Sequence, residues 1–69
     1  MNERLKQAED ALFDVLSHNP QGVTMDEILK QLGEKYAEPE LRAAVWTLKA
    51  RGAAEFRDGR LWQHSFAAA

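Results

Sequence analysis

Sixty-nine residues suffice for one domain, and a chain this short buries only about 60% of the surface it exposes when unfolded, so every core side chain matters. A composition of 45% apolar and 29% charged residues, with four Gly, two Pro and no Cys, is that of a folded chain; it excludes disulfides, thiolate metal sites and cysteine nucleophiles. The net charge of −2 argues, taken alone, against a nucleic-acid partner, because phosphate binding draws on clustered Lys and Arg.

The charge is unevenly spread. Residues 1–40 carry four basic side chains against nine acids, a net −5, whereas residues 41–69 carry five basic side chains against two acids, a net +3, so the chain is electrically two-ended. Apolar runs extend no further than stretches such as Ala43–Trp46, far short of the ~20 residues of a membrane span. The charges at Glu3, Arg4, Lys6, Glu9 and Asp10 have no apolar run behind them, which argues against a secretory signal and implies a cytoplasmic location.

From Glu3 to His18, Leu5, Ala8, Leu12, Val15 and Leu16 recur at three- and four-residue intervals, the mark of one buried stripe on a helix, with Phe13 at its flank and Asp10 and Asp14 outside. His18-Asn19-Pro20-Gln21-Gly22 should stop that helix: Asn tolerates left-handed geometry, Pro cannot continue the ladder and Gly lets the chain turn. Val23 and Thr24 are β-branched and could form a very short strand. Thr24-Met25-Asp26-Glu27 fits a capping box, so a second helix should begin at Met25, burying Met25, Ile28, Leu29 and Leu32, with Tyr36 a further candidate for that side and Gly33 ending it nearby.

The third helix is the best defined: Pro39 suits a first turn, and Leu41, Ala44, Val45 and Leu48 share one face, with Gly52 as the stop. Beyond it Ala53–Arg57 and Arg60–His64 flank Asp58-Gly59, a strong hairpin signal. A two-residue loop would set Phe56 against Leu61 and Glu55 against Trp62; a three-residue loop would set Trp62 against Phe56, and the sequence does not choose between them. One domain therefore spans residues 1–69, with its core at 5–64 and residues 65–69, including Phe66, expected to fray.

The order helix, short strand, helix, turn, helix, Gly, hairpin resembles the winged-helix family over about residues 5–64. The most specific piece is Leu41-x-x-Ala44-Val45-x-x-Leu48-x-x-x-Gly52, followed by Asp58-Gly59 and Trp62, which looks like a recognition helix, its terminating glycine and a wing. The fold class implied is mainly α with a small β-hairpin. The resemblance implies that the third helix enters the major groove of duplex DNA while the wing meets the backbone or minor groove. Carried onto this chain, the DNA-binding positions are Arg42, Ala43, Trp46, Thr47 and Lys49 on the third helix and Arg57 and Arg60 beside the hairpin tip. Arg can pair with guanine or phosphate, Thr can donate to either and pack on a thymine methyl, and Lys neutralises backbone charge.

Glu38 and Glu40 oppose that reading, since they stand at the start of the third helix where phosphates would lie; they also complement the helix dipole by ~0.3–1 kcal/mol. Trp46 sits about 140° from Leu41 on the helical wheel, sharing its side with Ala43 and Ala50. It is open to three roles: folded back over the hairpin or second helix as half-buried core, a protein contact, or a nucleic-acid contact. Trp62 and Phe56 are expected in the core, closing the hairpin onto the first and third helices. Arg51 is expected to pair with an acid of the first helix, and Tyr36 to cover the core near the turn.

His18 and His64 are the only imidazoles. No serine motif or metal-ligand spacing accompanies them, so neither enzyme, metal, cofactor nor small-molecule substrate is expected. The acidic outer face of the first helix opposes anionic lipid. Duplex DNA is thus the leading partner, in a transcriptional or related regulatory role. The alternative is a protein-interaction domain docking through Ala43, Trp46 and Ala50. Either would gain from dimerisation, for which the first helix and the Phe66 segment are candidates.

Overall fold

A computed structural model describes residues 3–64; the tail at 65–69, with Phe66, lies outside the described residues. The order is α1 (Glu3–Ser17), α2 (Met25–Leu32), α3 (Glu38–Ala50), then β1 (Ala54–Arg57) and β2 (Arg60–Gln63) paired antiparallel. The fold is therefore mainly helical with a two-stranded wing, as the residue pattern predicts. Among the described residues no helix is long and apolar enough to cross a membrane.

On α1 the stripe buries Ala8, Leu12 and Leu16, spaced by four, while Leu5, Phe13 and Val15 pack at its margin. Its principal partner is α3, which returns Leu41, Ala44 and Leu48 from the facing side. The helix ends differently from expectation. Asn19 does not take a left-handed conformation; its side-chain amide donates to the Val15 carbonyl at 2.7 Å, and Gly22, at φ 86°, makes the turn.

Thr24 starts α2 with the predicted capping box: its hydroxyl accepts from the Glu27 amide at 3.1 Å, and the Glu27 carboxylate accepts from the Thr24 amide at 2.9 Å. This satisfies two of the donors that the first turn leaves orphaned. Gly33 follows α2 as its cap but stays right-handed, at φ −68°. On α3, Glu40 accepts from the Ala37 amide at 3.0 Å. The helix closes with Gly52 left-handed at φ 77°, the Gly52 amide donating to Lys49 and the Ala53 amide to Leu48. That double bond is a Schellman ending, which satisfies the last carbonyls and sets the direction in which the hairpin leaves.

The hairpin has the two-residue loop. Phe56 faces Leu61, Glu55 faces Trp62 and Arg57 faces Arg60, with Asp58 and Gly59 both at positive φ, 55° and 74°, as a type I′ turn requires. Val23 adds a one-residue third strand: its amide donates to Leu61 at 3.0 Å and accepts in return through its carbonyl at 2.7 Å. Leu61 is thereby held on both sides and is fully buried, with Val23 and Ala54 beside it in the core.

Candidate nucleic-acid interface

Residues opposite one another in an antiparallel pair share a face, and successive residues alternate. The register therefore puts Ala54, Phe56 and Leu61 on the face toward the helices, and Glu55, Arg57, Arg60 and Trp62 on the face away from them. This corrects the expectation for both wing aromatics. Phe56 shares the inward face but lies near the turn, at the margin of α2 and α3, and remains 47% exposed. Trp62 does not close the hairpin onto α1 and α3. It is half-buried on the outer face, against Gly22, and its indole Nε1 donates to the Arg57 carbonyl at 3.2 Å.

The positions expected on the outer side of α3 are solvent-facing. Arg42, Ala43, Trp46, Lys49 and Ala50 are exposed and Thr47 is half-buried. Trp46 is 67% exposed, which removes the half-buried core role. The Thr47 hydroxyl donates to the Ala43 carbonyl at 2.9 Å within its own helix, leaving its oxygen as an acceptor only.

Arg42, Val45, Trp46 and Lys49 line an apolar groove with Met25 of α2 and Phe56 of β1. Ala43 and Ala50, placed with Trp46 in the protein-docking alternative, are not among the groove residues. Met25 and Phe56 were missed because both have core-like character in the sequence. The signal that could have found Phe56 is its place two residues before Asp58 in the two-residue register, where the helices only partly cover the inward face.

Arg57 and Arg60 stand apart from this groove, on the outer face of the hairpin. The Arg57 guanidinium lies 5.1 Å from the Trp62 ring centroid and 3.5 Å from a Glu55 oxygen, and an Arg60 nitrogen reaches the Gly22 carbonyl at 3.4 Å. The structure thus divides the expected cations between two patches on either side of the wing.

The two acids that opposed a phosphate partner are both engaged. Glu38 pairs with Arg42 at 2.7 Å, one turn on. Glu40 turns back: Arg4 donates to both of its oxygens, at 2.8 and 3.0 Å, and also to the Lys35 carbonyl at 2.9 Å. Hydrogen bonding from Arg4, and then from the Ala37 amide, holds the Glu40 carboxyl below its ordinary pKa. Arg51 pairs with Glu9 of α1 at 2.8 Å, as its position near the buried edge of α3 predicts, so the buried carboxylate of Glu9 is neutralised from above. His18 sits at the end of α1, its Nδ1 2.8 Å from the Asp14 carbonyl, and His64 follows β2. No group of three or more potential metal ligands gathers among the described residues.

Comparison with known proteins returns no matching family model, no matching curated relative and no matching solved structure.

Proposed function

We propose that this chain is a winged-helix module that binds duplex DNA, with α3 in the major groove and the hairpin tip against the adjoining backbone. The observation that carries the reading is the uncovered outer side of α3, where Arg42, Ala43, Trp46, Lys49 and Ala50 are all exposed in the half of the chain that bears net +3. An α-helix fits the roughly 12 Å width of the major groove. The ion pairs that hold Arg42 and Arg57 are solvent-exposed; such pairs are worth at most ~1 kcal/mol and exchange readily for phosphate. Glu40 stays neutralised by Arg4, whereas Glu38 gives up its partner when Arg42 turns to a phosphate, a repulsion that the contacts of α3 have to outweigh.

The reading from the sequence required the outer flank of α3 and the Arg-bearing turn to point the same way, and the division of cations by the hairpin counts against that part of it; the proposal therefore rests on α3, with Arg57 and Arg60 assigned only to phosphates beside the groove it reads. Phosphate contacts of this kind position the protein, and specificity belongs to α3. The reading assigns a regulatory role in the cytoplasm and calls on no cofactor or catalytic group.

A gel shift with random-sequence duplex tests it. Binding is expected at low salt and falls steeply between about 50 and 200 mM. The pair Arg57→Ala and Arg60→Ala weakens binding to all sequences alike and lowers the magnitude of the salt slope by about 2. A chain that shifts no duplex at low salt, as monomer or as dimer, overturns the proposal.

A further inference from the structure

Among the described residues the two large apolar side chains left exposed, Trp46 and Phe56, come from different elements yet line a single groove. Met25 and Val45 form the rest of its apolar lining, Arg42 and Lys49 supply the charge, and it encloses about 220 Å³. No carboxylate lines it, in a chain that holds eleven. Lys49 stands over the Trp46 ring, its ammonium 4.7 Å from the centroid. The Lys49 ammonium has no ion-pair partner among the described residues, and Arg42 is held only by Glu38 of its own helix.

These features narrow the occupant. A second copy docked groove to groove about a two-fold axis would bring two Arg42 and two Lys49 side chains together in a partly dehydrated contact, and like charges there are costly. A duplex satisfies the cations, but apart from thymine methyls it offers nothing apolar to cover Trp46, Phe56, Met25 and Val45 together. A polypeptide segment with bulky apolar anchors on one side and carboxylates at its margins satisfies both demands at once.

We propose that this groove docks an acidic amphipathic helix of a partner protein, its apolar anchors between Trp46 and Phe56 and its carboxylates on Arg42 and Lys49. The segment covers the same side of α3 that duplex binding uses, so the partner excludes DNA; that exclusion, though not the docking, rests on the duplex reading above.

Calorimetric titration of the full chain with three synthetic peptides tests the docking without DNA. The first carries Phe and Leu at i, i+3, i+4 and i+7 with Asp and Glu elsewhere; the second has the same composition with the anchors scrambled off the stripe; the third keeps the anchors and replaces the acids with Lys. The first is expected to bind one to one and at least about tenfold more tightly than the others. Trp46→Ala and Phe56→Ala each weaken it about tenfold while far-UV circular dichroism remains that of the parent; melting is nearly unchanged for Trp46→Ala and falls modestly for Phe56→Ala, whose ring is about half covered. Lys49→Glu weakens the first peptide and strengthens the third. Arg57→Ala with Arg60→Ala leaves peptide binding unchanged, so failure of duplex binding and failure of docking are read separately. The proposal is overturned if the first peptide binds no better than the second or third, or is indifferent to both aromatic substitutions. It is also overturned if single-stranded oligothymidylate binds more tightly than the first peptide and loses that affinity in Trp46→Ala, which would assign the aromatics to base stacking.

Discussion

Gly22 has two reasons to lack a side chain. Its φ of 86° lies where L-residues are strained, and a β-carbon there would stand 2.9 Å from the Trp62 ring, with backbone on one side and a hairpin side chain on the other. Gly22→Ala is therefore expected to destabilise by more than ~1 kcal/mol, seen as a lower urea midpoint at unchanged slope. Gly59, also at positive φ but with open space around it, should accept Asn with little loss. Equal midpoints for the two variants would mean that neither the backbone conformation of Gly22 nor the Trp62 ring beside it penalises a side chain there. At this scale the sequence was informative where one wheel position decides the matter. Arg51 at the buried edge of α3 had an acid of α1 as its natural partner, and Glu9 is that acid. It misled at Phe56 and Trp62, because hydrophobicity says that a ring seeks cover and only the register says on which face, and how far along, the cover exists.

Between elements, the Arg4 side chain fastens the first turn of α1 to the start of α3 and to the turn before it, with its guanidinium 5.4 Å from the Tyr36 ring centroid. Glu40 is the titrating member in the acid range. Its folded pKa is lowered, first by the hydrogen bond from Arg4, so its contribution is complete above the ordinary carboxylate range, near ~4.3, and is lost as pH falls through the lowered value. Arg4 is raised, by the same hydrogen bond, and contributes no change below strongly alkaline pH. The melting temperature of the parent should exceed that of Glu40→Gln at neutral pH, and the gap should close on acidification below about pH 4. A gap independent of pH would assign the loss to packing alone. Element boundaries were legible wherever the signal was local: Thr24 with Glu27, Gly52, and Asp58-Gly59 each use only their neighbours to start or stop a segment. The clamp itself was not legible, since 36 residues separate Arg4 from Glu40 and nothing in either neighbourhood points to the other.

Across the whole molecule, Leu61 is where the layers meet. It is fully buried, bonded through its backbone to Val23, and opposite Phe56 in the hairpin, so the connection between α1 and α2 and the C-terminal hairpin share one side chain. Leu61→Ala should cost about 2–5 kcal/mol, against a total of roughly 3–10 kcal/mol for a chain of this length, and leave much of the population unfolded at physiological temperature. Far-UV circular dichroism of the variant checks this: a helical signal as strong as the parent's would remove Leu61 from the centre. The fold class was readable because three helices and a hairpin each carry their own period. The seat of Leu61 was not, since pairing it with Val23 closes a loop of 38 residues, and the very short strand anticipated at Val23 had no visible partner.

The two indoles stand on opposite sides of the wing, Trp46 open to solvent beside α3 and Trp62 half-covered on the hairpin's outer face with its Nε1–H bonded. Their emission should differ in colour accordingly, the first red-shifted by water and the second shielded. Replacing either one with Phe leaves a single indole beside Tyr36, so with excitation that spares tyrosine one spectrum senses occupancy of the helix side and the other senses the arginine side, with no added dye.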